Sequence, residues 1–110
     1  MAYDVELADR LRAMLSDEPG VVEKRMFGGV AFLVGGHLAV GASSKGGLML
    51  RVEPQQTEAL LAEARAEPFE MRGRAMSGWL RVRLDGSADD DELGPWVERG
   101  LAYVRSLPPK

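Results

Sequence analysis

Residues 25–40 read Arg-Met-Phe-Gly-Gly-Val-Ala-Phe-Leu-Val-Gly-Gly-His-Leu-Ala-Val. The two glycine pairs in this run constrain the fold more than any other feature. Glycine enters the positive-φ region without steric cost, so a Gly-Gly pair between apolar runs marks a tight reversal. Gly28-Gly29 and Gly35-Gly36 bracket Val30 to Val34, an apolar run of strand length. The pattern predicts an antiparallel meander of strand, turn, buried strand, turn and strand. Residues 26–42 carry no formal charge, yet they contain His37 and five glycines. They sit at the short end of the roughly 17–25 residues a spanning helix needs, and glycine suits turns better than helix interiors. A hairpin reading follows, with no membrane contact expected.

Around the meander the apolar spacing predicts three helices and further strands. Leu7, Leu11, Met14 and Leu15 make one helical stripe over residues 5–17, with Asp4 as N-cap. Strands are expected at 22–27, 30–34, 37–41 and 48–52. In the last of these, Leu48, Leu50 and Val52 point one way, and Met49 and Arg51 the other. Glu53-Pro54 opens a second helix that runs to about residues 65–67. A short edge strand at 69–71, a loop at 72–78 and a strand at 79–84 come next. Leu80, Val82 and Leu84 are expected inward, and Trp79, Arg81 and Arg83 outward. A third helix spans residues 90–106 with Leu93, Trp96, Val97, Leu101 and Val104 on one face. The order α-β-β-β-β-α-(β)-β-α is an α+β domain, an antiparallel sheet with helices packed on it. At 110 residues the chain is one domain, and it can bury a core without disulfides or metal.

Lys24-Arg25-Met26-Phe27-Gly28-Gly29, with Phe32 beyond, resembles the hallmark of the TfoX/Sxy N-terminal-domain family. Met76-Ser77-Gly78-Trp79 and the closing Ala102-Tyr103-Val104-Arg105-Ser106-Leu107-Pro108 also resemble that family. The resemblance covers nearly the whole chain. It implies a fold similar to that of secretion chaperones and a bacterial cytoplasmic setting. Arg25, Met26, Phe27, Gly28 and Gly29 form its structural motif. The best-known relatives join this domain to a C-terminal helical domain and regulate DNA-uptake competence with the cyclic-AMP receptor protein. This sequence ends at Lys110, so a standalone domain is expected and the competence role is not carried over. The resemblance brings no catalytic residues and no cofactor.

The residues themselves give little chemistry. Cysteine is absent, so thiol catalysis, disulfides and Cys-based zinc sites are excluded. His37, the sole histidine, falls at a hairpin tip, and no serine occupies a strand-to-helix elbow. Asp89, Asp90, Asp91 and Glu92 lack the alternate spacing of a calcium loop and suit the start of a helix. The glycine pairs lead into strands, not into the helix N-terminus a phosphate cradle requires. No catalytic, cofactor or metal residue is therefore assigned. The candidate contact surface is Arg51, Arg72, Arg74, Trp79, Arg81 and Arg83. It places guanidiniums beside an indole, which suits phosphate, nucleic-acid backbone or an acidic protein segment. The competing reading is a solvated strand face paired with Glu53, Glu67, Glu70 or Asp85. Met71 and Met76 flank the arginine loop. A net charge of −3 argues against bulk-charge coating of nucleic acid. The favoured expectation is a non-enzymatic, cytoplasmic regulatory or interaction domain, accessory to transcription regulation by resemblance. Its partner is an unknown protein or a second copy in a homodimer. Nucleic-acid binding through the arginine strand is the alternative, and a small-ligand or enzymatic pocket the second alternative.

Overall fold

A computed structural model describes residues 3–26, 28–44, 46–63, 65–71 and 73–109. Asp4 caps α1 (Val5–Met14) as expected, its Oδ1 accepting from the Leu7 N–H at 3.0 Å. The chain then forms β1 (Val21–Met26), β2 (Gly29–Val34), β3 (His37–Ala42) and β4 (Leu48–Arg51). A 3₁₀ turn (Pro54–Gln56) leads into α2 (Thr57–Leu61), and β5 (Ala66–Met71), β6 (Arg74–Val82) and α3 (Asp90–Arg105) complete the order. The strands make one antiparallel six-stranded sheet in the order β1-β2-β3-β4-β6-β5.

The glycine pairs act differently from one another. Gly35 and Gly36 both have positive φ and join Val34 to its register partner His37, as a two-residue hairpin loop requires. In the first pair only Gly28 turns, at φ 76°, whereas Gly29 already belongs to β2. A Cβ on Gly29 would lie 2.1 Å from the Ala42 carbonyl oxygen, so this glycine permits close strand approach. Phe27, the remaining member of the motif, lies outside the described residues.

The alternation places side chains where the sequence predicts. Val30, Phe32, Val40, Leu48, Leu50, Leu80 and Val82 meet Leu7 and Leu11 of α1 and Leu93, Trp96, Val97, Leu101 and Val104 of α3 in the main core. A second cluster occupies the other face: Ala31, Leu33, Leu38, Met49 and Phe69, with Met26, Met76 and Trp79 against it. Every member of that cluster is a strand residue.

Three expectations are corrected. The second helix is a 3₁₀ turn plus the short α2, ending at Leu61, well before residues 65–67. The expected strand at 69–71 begins earlier, at Ala66. The expected loop at 72–78 is largely strand, because β6 starts at Arg74, and it ends at Val82 instead of 84. The reason is a large bulge. Glu70 pairs with Ala75 and Pro68 with Leu80, so Met76, Ser77, Gly78 and Trp79 stand opposite Phe69 alone. Serine and glycine in that segment read as a loop in sequence, yet they form the bend of a continuous strand.

Candidate functional site

The bulge builds the site. Gly78 has φ 86°, a conformation a Cβ would strain, and its backbone is held at both ends. Its N–H donates to Thr57 Oγ1 at 2.9 Å, and its carbonyl accepts from the Val52 N–H at 2.9 Å. Thr57 at the start of α2 therefore fixes the bend of β6. Trp79 leaves the bend on the second face, in register with Arg51 of β4 and 5.8 Å from the Phe69 ring.

Arg51 is the last residue of β4. Its guanidinium carbon lies 5.4 Å from the Trp79 ring centre and 5.7 Å from that of Tyr103 on α3. Both distances fall within the range of cation–π attraction. Among the described residues no carboxylate pairs with Arg51, which joins the helix side of the sheet to the far side through two rings. Two hollows flank this wedge. One, of about 410 Å³, is lined by Pro54, Thr57, Leu61, Pro68, Met76 and Trp79, among others. The second, of about 310 Å³, includes Val52, Gln56, Leu60, Arg99 and Tyr103.

The remaining arginines of the predicted surface behave otherwise. Arg81 and Arg83 lie on the expected face, but one carboxylate serves both: Glu67 sits 3.5 Å from Arg81 and 3.1 Å from Arg83. The paired alternative therefore describes these two, with Glu67 as the partner. Arg74 opens β6 and is exposed at the far end of the hairpin. Arg72 lies outside the described residues. The structure brings Arg51 and Trp79 together and ties Arg81 and Arg83 to an acid. Tyr103 escaped the sequence reading of the site, because no strand periodicity connects it to Arg51. Met76 does stand beside Trp79.

His37 is less solvated than its place near a hairpin tip suggests. Its Nε2 is 2.7 Å from the Pro108 carbonyl oxygen, so that nitrogen donates and the ring pins the C-terminal segment. Asp89 caps α3, accepting from the Glu92 N–H at 3.0 Å, as its position predicts. Among the described residues no three His, Asp or Glu side chains are grouped to hold a metal. No helix among them is long and apolar enough to cross a membrane.

Comparison with known families decides the kinship. The family model of the TfoX N-terminal domain matches residues 13–103. The chain belongs to the TfoX N-terminal domain family. The match contains the whole sheet, the bulge of β6 and Tyr103, so the site described above lies within the family domain. No curated protein and no solved structure matches the chain.

Proposed function

We propose that this TfoX N-terminal domain is a non-enzymatic, cytoplasmic interaction module that docks another protein at the Arg51–Trp79–Tyr103 wedge. The observation that carries this reading is the contrast between Arg51 and its neighbours. Arg51 is held by aromatic rings and has no acid partner among the described residues, whereas Arg81 and Arg83 share Glu67. Arginine, tryptophan and tyrosine around apolar hollows are the residues that dominate protein interfaces. An oriented guanidinium with free N–H edges suits a carboxylate on the partner. An accessory role in transcription regulation is the setting proposed for such a contact, and it rests on the resemblance alone.

Nucleic-acid binding draws less support, because the two arginines of the late strand share the Glu67 carboxylate, which offsets half of their charge. The test is photo-crosslinking from position 76, beside Trp79, in extract of the source cells. A discrete protein adduct is expected, lost in Arg51→Ala and retained in Arg83→Ala. Absence of any adduct, or an adduct indifferent to Arg51, would overturn the proposal. A salt-sensitive complex with DNA or RNA weakened by Arg83→Ala would replace it with the nucleic-acid reading.

A further inference from the structure

The sheet has two edges, and they are finished differently. β5 carries Pro68 in mid-strand and pairs through the bulge, two devices that blunt an edge against further strands. β1 carries neither. Its pairing with β2 is continuous over all of Val21–Met26. Val22, Glu23, Lys24 and Arg25 are exposed on this strand, and Val22 is 51% exposed, one of two large exposed apolar side chains among the described residues. The strand's guard is charge alone, from Glu23, Lys24 and Arg25, so its row of backbone donors and acceptors is open to a strand whose charges match.

The side chains of β1 select the strand it fits. In an antiparallel pair related by a two-fold axis, residues face each other with a constant sum of numbers. A register with Lys24 on the axis sets Glu23 opposite Arg25 of the second copy, and Arg25 opposite its Glu23. The same register sets Val22 against Met26 at both ends. Shifting the axis to Glu23 or to Arg25 places like charges of those residues face to face and opposes Val22 or Met26 with Lys24. The lysine-centred register alone gives two opposite-charge pairs and two apolar pairs, at the cost of one lysine pair whose long stems can splay into water. We propose that β1 pairs with β1 of a second copy of this chain, extending the sheet across a two-fold axis with Glu23 against Arg25. This contact lies on the opposite edge from β5 and does not depend on the wedge at Arg51.

The supporting side chains agree with a presented strand. Arg12 of α1 holds the Glu23 carboxylate with two bonds of 2.8 Å on the helix side of β1. Arg25 stands over the Tyr3 ring at 5.7 Å. Both charges are thus oriented before the second copy arrives, which lowers the ordering cost of association.

Sedimentation equilibrium of the full chain across the micromolar range tests the inference. A dimer is expected for the unchanged chain. Arg25→Glu and Glu23→Arg are each expected to weaken it by more than about tenfold, because both pairs become repulsive. An equimolar mixture of the two variants restores opposite charges at both 23–25 pairs and should recover the dimer as a heterodimer. Circular dichroism of each variant establishes that it folds, and hydrogen exchange reports whether β1 amides gain protection with concentration. A chain monomeric throughout, a dimer indifferent to either reversal, or a mixture that stays monomeric would overturn the inference.

Discussion

Met49 and Leu50 are neighbours in β4 and almost fully buried, yet they belong to different cores. Leu50 packs in the cluster that α1 and α3 complete. Met49 packs in a cluster made by strands alone. The helix side is filled mainly with leucine, valine and alanine, with Phe32 and Trp96, side chains with few rotamers that fit a rigid layer. The far side relies on methionines, Phe69 and Trp79. Methionine adapts to irregular gaps, so it suits a face closed by a bent hairpin instead of a helix. The lesson is that burial alone does not describe a core. What does the burying sets how far the surroundings can collapse when an atom is removed.

That contrast can be broken by truncation. Leu50→Ala should cost about 3–5 kcal/mol in a denaturant melt, because the helices hold the cavity open. Met49→Ala should cost about 2–3 kcal/mol, since methionine and hairpin neighbours can relax into the space. Equal losses would show that the two faces are energetically alike. Gly78→Ala tests the bend that lets the hairpin close the far side. It should cost about 1–2 kcal/mol from the positive φ alone, and Met76 and Trp79 should gain solvent exposure by fluorescence and hydrogen exchange. An unchanged melt would remove the bend from the account.

Smaller effects sharpen the comparison at its edges. Arg51→Ala should cost less than about 1 kcal/mol of stability, because its ring contacts are partly exposed, while abolishing partner capture. A large loss of stability would make Arg51 a structural strut instead of a contact residue.

The helix side also carries acid-sensitive clamps. Hydrogen bonds from Arg105 hold the Glu18 carboxyl below its usual range, and those from Arg12 do the same for Glu23. A depressed folded value means that this stabilisation is complete above the ordinary glutamate range and is lost as pH falls through the folded values. Glu18→Gln with Glu23→Gln should therefore flatten the acid limb of the stability–pH curve. The change should be below about 1 kcal/mol per pair, given partial exposure. An unaltered acid limb would remove these pairs from the account of acid sensitivity.

Much of the architecture was legible along the chain. Gly35-Gly36 announced its hairpin because positive φ at two successive positions is nearly a glycine property. The alternation of Leu48, Met49, Leu50 and Arg51 gave the correct faces, since the strand period of two leaves no freedom once one residue is placed. The spacing of Leu93, Trp96, Val97, Leu101 and Val104 gave α3 for the corresponding helical reason. The site was legible only in part. Arg51 and Trp79 were visible as a strand arginine and a strand indole. Met76 to Gly78 read as a loop, because a bulge uses the residues of a turn. Glu67 was one of four acids within reach of the arginines, and only the register of β5 against β6 singled it out.

The sequence by itself determined the reversals, the element order and the side of the sheet on which each strand residue falls. These follow from backbone sterics and from periods of two and 3.6 residues, which act over a few neighbours. The tertiary structure decided that Arg51 meets no acid among the described residues, which aromatic of a distant helix meets it, and which sheet edge lacks a proline and a bulge. Those outcomes depend on contacts between segments far apart in the chain, such as Arg51 with Tyr103, and local preference carries no record of them.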